Sequence, residues 1–333
     1  MKICILYLVT TLFFITSCDS SRDLNVDVSG ESPQEIKIKR YGKAIFSLDT
    51  ESLTVGDIEA LHKDYPFFVR AQIDSLEVNA MREFLEDPVN SELYKAVSKK
   101  YRDITALEAD LAAMFRHFNY YFSGFQVPEV YTYVSSMNHE KPVIYQDSVL
   151  VIGLDMYLGA DFEYYDMVGI PKYRSRWFVA ERVVPEACQA IIEQWVQSQS
   201  DPNLLDYMIR YGKIQYLLDA ILPENPRKYK IRYTEQQQQW IRDNETFVWS
   251  FLVEKELLFS KDRPKIKGFL DDGPFSSMIS KEAPPRLAQW FGWRIVKKYM
   301  DKNQDVRMLN LLQEKNSMKI LKQSGYKPAR AIR

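Results

Sequence analysis

The chain has 333 residues, 46% of them hydrophobic, enough for one large domain or two lobes around a sizeable core. Its 44 basic and 45 acidic residues leave a net charge of −1, which excludes the broad basic footprint of a general nucleic-acid binder. Only 12 glycines occur, and neither a phosphate-cradling glycine loop nor a G-x-S-x-G nucleophile elbow is present.

The first element is a short apolar run, Ile3 to Ile15, broken by Thr10 and Thr11 and preceded by the single charge of Lys2. A spanning helix needs about 20 apolar residues, so a charged start, a short core and a small-residue exit predict a secretory signal over 1–17. The exit Ile15-Thr16-Ser17-Cys18 resembles the bacterial lipobox, in which the cysteine thiolate takes up a diacylglycerol group and becomes the acylated first residue of the mature chain. Two or three acyl chains make a stable anchor where one does not. Cys18 is therefore the expected lipidation site, and the protein is expected to be exported and held to an envelope membrane, facing the periplasm. With Cys4 removed and Cys18 acylated, Cys188 is left alone and no internal disulfide is possible. It sits among helical apolar residues and reads as a buried, inert thiol.

Residues 18–34 are polar and predict a flexible lipid tether, and 35–333 a single globular domain, with a possible division into lobes near 174–200. Ile36 and Ile38 alternate with Lys37 and Lys39, as in a half-buried strand. A short helix ends near Pro66. The strongest helical period runs over 91–122, with Ser91 as N-cap and Val97, Tyr101, Ile104, Leu107, Leu111, Met114, Phe118 and Tyr121 as its apolar stripe; Ser123-Gly124 closes it. His117 lies beside that stripe and reads as a surface or satisfied histidine. Stretches rich in β-branched and tyrosine residues follow, and Gln146-Asp147-Ser148 predicts a hairpin turn between "VIY" and "VLVIGL". Asp161, Glu163 and Asp166 lie in a stretch without the EF-hand pattern, read as a solvated loop.

From about residue 174 the chain is mostly helical. Pro185 kinks one helix or begins another. A second helix runs to Pro223. A third starts at Thr234, where Gln237 three residues on has the capping-box spacing; the four glutamines 236–239 belong to it. A helix after Pro284-Pro285 and a final short helix or pair complete the chain. The order implies an α+β fold, predominantly helical, with a small β-sheet followed by a helical half.

Taken in order, "IKRYGKAIF", "LHKDYPFFV", "VIGLDMYLG", "VVPEACQAIIEQW", "YGKIQYLLDAILPE", "FLDDGPFSSMI" and "PPRLAQWFGWRIVKKYM" resemble the gliding-motility lipoprotein family GldB of the Bacteroidetes. That family in turn looks distantly like zinc metalloproteases of the HExxH type, which implies a degenerate zincin-like architecture. The zinc chemistry requires two histidines at i and i+4 on one helix face and a glutamate that polarises bound water. "AERVV" places Ala180 and Val184 at the histidine positions; "PEACQ" places Pro185 and Gln189 there, with Glu186 as the base. His62, His117 and His139 are the only histidines, and no two are four apart. Glu181 and Glu186 then read as helix-surface charges or as buried partners of Arg174, Arg176 or Arg182.

The expectation is a non-enzymatic lipoprotein with no cofactor, metal or catalytic residue. The resemblance implies a component of an envelope machine of gliding-motility or associated secretion type, partnered by the membrane and by other envelope proteins, with no nucleic acid and no evident small-molecule substrate. The alternatives are a metal-dependent, peptidase-like hydrolase, or a small-ligand-binding lipoprotein using tyrosine and tryptophan as stacking platforms.

Overall fold

The computed structural model describes residues 21–31 and 35–328, so the signal segment and Cys18 lie outside the described residues. Ile36 and Ile38 are buried as the alternation requires, but only Lys39–Arg40 (β1) enters a ladder before the backbone turns into α1, Tyr41–Ile45. Helix α2, Val55–Glu59, is held by a capping box between Thr54 and Asp57. The same device, Asp74 with Glu77, starts α3, Ser75–Glu86.

The long helix expected over 91–122 is two helices, α4 (Pro88–Lys100) and α5 (Thr105–Tyr121). The N-cap of α4 is Asp87, not Ser91. Its carboxylate accepts from the Val89 and Asn90 amides at 2.7 and 3.3 Å, and Pro88 occupies N1, where no donor is missed. The break comes where Asp103 accepts the Thr105 amide at 2.8 Å, a local bond that competes with the helical ladder. Tyr101, on the apolar stripe, swings into the core and donates to the Tyr157 carbonyl at 2.8 Å.

Strands β2 (Glu129–Tyr133), β3 (Val143–Gln146) and β4 (Val149–Gly153) complete a four-stranded sheet of order β1-β2-β4-β3. β1 and β2 run parallel with Lys39 opposite Tyr131, β2 and β4 parallel with Glu129 opposite Val149, and β3 antiparallel to β4 with Val143 opposite Ile152. The expected hairpin turn is Asp147-Ser148, both left-handed at φ 49° and 62°, the backbone of a two-residue type I′ turn. Beyond β4, the buried Asp155 accepts from the Ser135 amide (2.8 Å), the Ser135 hydroxyl (2.9 Å) and the Met137 amide (2.8 Å), tying the loop after β2 to the end of β4.

The stretch around Asp161 to Asp166 is not an open loop. It forms α6 (Glu163–Met167) and α7 (Lys172–Ser175), because Tyr165 is buried and donates to the Asp155 carbonyl at 2.6 Å. Pro185 begins rather than kinks a helix: it lies in the first turn of α8, Val183–Trp195. Asn203 with Asp206 caps α9, Leu204–Ile221; α10 is Arg227–Ile231; and the expected Thr234–Gln237 box starts α11, Glu235–Glu254. Helices α12 (Arg263–Leu270), α13 (Leu287–Lys302), α14 (Met308–Gln313) and α15 (Ser317–Ser324) follow, so the chain closes on a pair of short helices.

The main core is built around α9 and α13, whose backbones meet at Gly212 and Gly292. It takes in buried residues from Ile36 to Tyr326, those of α8 among them; a smaller cluster, Tyr41 to Leu85, sits under α1, α2 and α3. The N-terminal stretch read as tether touches this body. The Arg22 amide donates to Asp301 at 2.9 Å, the Arg22 guanidinium to the Val306 carbonyl at 2.6 Å, and Leu24 packs against the main core.

Candidate functional site: an arginine-lined cleft

Helix α8 packs against β3, the edge strand of the sheet. Between this pair, the loop from His139 to Pro142, α7 and the segments carrying Arg232 and Asp272 opens a cleft of about 890 Å³. Its wall on α8 is Glu186, Gln189 and Glu193. These face it together because they recur at three and four residues, while Ala187, Cys188, Ile191 and Ile192 on the opposite side are buried.

The cleft floor is a lattice of guanidinium groups and carboxylates. Arg182 precedes α8 and is 1% exposed. Its Nη2 donates to Glu186 Oε2 at 3.0 Å, one helical turn on, and its Nη1 to the Tyr229 carbonyl. Behind Glu186 the Tyr157 hydroxyl is wholly buried, and burial together with the glutamate's charge pushes it well above its ordinary range. Asp272 is shared by Arg286 Nε at 3.2 Å and Arg232 Nη1 at 3.5 Å. Arg286 also donates to the Ile231 and Arg232 carbonyls at 3.0 and 2.8 Å. Burial, reinforced by the neighbouring Arg232 charge, lowers the Arg286 guanidinium to about 9. Arg232 and Arg286 both adopt left-handed backbone, φ 57° and 56°, at the end of α10 and the start of α13. Such strain costs about 1 kcal/mol or more per residue and persists where surrounding contacts fix it.

At the rim, Arg174 donates to Glu140 at 2.6 Å, and the His139 ring nitrogen lies 3.2 Å from the same carboxylate. Gln194 donates to the Tyr145 carbonyl at 3.1 Å, joining α8 to the edge strand. Arg210, on α9, lines the cleft with neither ion pair nor hydrogen bond among the described residues. The arrangement thus pairs Glu186, Asp272 and Glu140 each with at least one guanidinium group.

The two glutamates singled out from the sequence part company. Glu186 is the partner of Arg182, whereas Glu181 is exposed. Arg174 pairs with Glu140 instead of either. Neither HExxH register gathers ligands: among the described residues no group of three or more His, Cys, Asp or Glu side chains is placed to hold a metal ion. Cys188 is buried, and burial pushes its thiol well up. His117 is satisfied, its Nδ1 lying 3.0 Å from the Ala113 carbonyl. Arg232, Asp272 and Arg286 were invisible as a group in the sequence. Their only local signals are the acidic pair Asp271-Asp272 before Gly273 and the Pro285-Arg286 step into α13. No described helix is long and apolar enough to cross a membrane.

Against known proteins, the chain matches the family described as gliding motility protein GldB over residues 21–328. No curated protein and no solved structure matches it. The zinc-metalloprotease side of the resemblance draws no support from these comparisons.

Proposed function

The chain belongs to the gliding motility protein GldB family, and from that premise we propose that it is a lipid-anchored, non-enzymatic component of a cell-envelope machine of gliding-motility or associated secretion type. The observation that carries the reading is the family match across almost the whole described chain. Cys18, just ahead of the matched span, supplies the anchor in this reading. The cleft is in keeping with a structural role. Glu186, which a zinc protease of the HExxH type would use to polarise water, is here the partner of the buried Arg182.

Affinity capture of the acylated protein from native envelopes, with a Cys18→Ala control, tests the reading. Envelope proteins enriched over the control are expected, and the same captured set with and without the cysteine would overturn it. The competing hydrolase reading is tested by elemental analysis of the purified protein: zinc at one atom per chain, lost together with peptide cleavage on chelation, would replace the scaffold.

A further inference from the structure

Ser21 and Arg22 are the first described residues, and they rest on one face of the body. Ser21 shares a surface pocket with Arg294, Lys297, Lys298, Asp301, Lys327 and Pro328. Lys302 stands one helical turn beyond Lys298 on α13, and its Nζ approaches Gly325, two residues before Lys327. The cations here are Arg294, Lys297, Lys298, Lys302 and Lys327. The anions set against them are Asp301, 2.9 Å from Lys297, and Glu245, 2.8 Å from Arg294. Lys298, Lys302 and Lys327 carry the excess, with no ion pair among the described residues.

Position gives this charge its meaning. Ser21 is three steps along the chain from Cys18, with Asp19 and Ser20 between them, and a chain extends by at most about 3.6 Å per residue, so an acyl-bearing Cys18 can be no further than about 11 Å from Ser21. That is close to the Debye length at physiological salt, about 8 Å, within which an anionic leaflet attracts basic side chains. The pinning of Arg22 and Leu24 removes the slack that a tether reaching to residue 34 would provide.

We propose that the face formed by Arg294, Lys297, Lys298, Lys302 and Lys327 docks on anionic lipid headgroups, so that the acyl anchor at Cys18 and this basic face together fix which side of the protein lies on the membrane. The inference rests on the lipidation in the proposed function. The arginine-lined cleft then belongs to a body of fixed orientation, not one swinging on a long leash.

The test is amine labelling of the purified acylated protein, read residue by residue by mass spectrometry. Three settings are compared: neutral detergent, phosphatidylcholine vesicles, and vesicles containing phosphatidylglycerol. Lys298, Lys302 and Lys327 are expected to label several-fold more slowly in the anionic vesicles than in either neutral setting. Lys95 and Lys261, on segments that do not line the face, are expected to be unchanged. A K302E/K327E variant changes two exposed side chains, and it should abolish the protection while leaving the acyl mass at Cys18 intact. Equal labelling in all three settings with the acyl group present overturns the docking face and leaves lipidation standing. Absence of acyl mass at Cys18 overturns both. Protection that persists in neutral vesicles and in the charge-reversal variant overturns the electrostatic basis.

Discussion

Helices α9 and α13 cross with their backbones in contact, and Gly292→Ala is the substitution that probes this most directly. An alanine Cβ at 292 would stand 1.7 Å from the Met208 carbonyl oxygen, 2.6 Å from its carbon and 3.1 Å from the Gly212 amide nitrogen. These are backbone atoms of a helix that is itself almost wholly buried, so no side chain can rotate away. Relief requires the axes to separate by about 1.5 Å, and a radial gap of even 0.5–1 Å forfeits a quarter to a half of each dispersion contact across it. The buried α13 residues Ala288, Phe291, Ile295, Val296 and Tyr299 would all feel it. Overpacking costs typically 1–3 kcal/mol and more where backbones collide. Exchanging glycine for alanine inside a helix returns about 1 kcal/mol of propensity. The clash wins, and a net loss of about 3 kcal/mol is expected, lowering the melting temperature by about 6 °C or more. Urea unfolding followed by far-UV circular dichroism measures it, with Gly56→Ala as the control. Gly56 lies on a short helix where the nearest atom to an added Cβ is the Thr54 Oγ1 at 3.8 Å, so its substitution should be neutral or stabilising. A Gly292→Ala protein as stable as the parent, or more so, would refute the close crossing.

Further predictions follow from the buried charges and the hairpin. Asp219 on α9 accepts from Trp293 Nε1 at 2.9 Å, pairs with Lys230 at 3.0 Å and also holds Arg227. Asp219→Asn leaves the buried Lys230 ammonium without its counter-charge and should cost about 3–5 kcal/mol in denaturant unfolding; a loss under about 1 kcal/mol would mean the network is idle. Ser148→Gly places glycine at a φ of 62° in the hairpin turn and should raise stability by about 0.5–1 kcal/mol, against a loss if the turn were of another type. Burial lowers Lys213 to about 8 from 10.5, so between those pH values the unfolded chain binds more protons than the folded one. Stability contributed through this group therefore rises with pH over that window. The stability of the wild type relative to Lys213→Met should increase by about 1–2 kcal/mol from about pH 7 to about pH 9.5, and a flat difference would contradict the burial.

The sequence alone determined what depends on nearest neighbours. Residue type and spacing were enough for the Thr234–Gln237 box, the hairpin turn at 147 and 148, and the α+β order with its helical second half, while Pro185 marked a helix start or a kink that only the structure resolved as a start. They were enough, too, for the ordered likeness that the family match bears out. Periodicity erred where one long stripe concealed a break: apolar residues kept their spacing through 101–104, yet Asp103 and the buried Tyr101 turned the chain there. It also passed over α3, although Asp74 and Glu77 carried the same capping signal as Thr234 and Gln237. Only the tertiary structure decided what depends on residues far apart in the chain. The cleft needs Arg182 and Glu186 to meet Arg232, Asp272 and Arg286, and the α9–α13 crossing needs Gly212 to find Gly292. The basic face stands beside the N-terminal segment because Ser21 and Arg22 return to α13, more than 270 residues on. A charge's partner and a helix's neighbour are set by the packing of the whole core, which no local window of sequence contains.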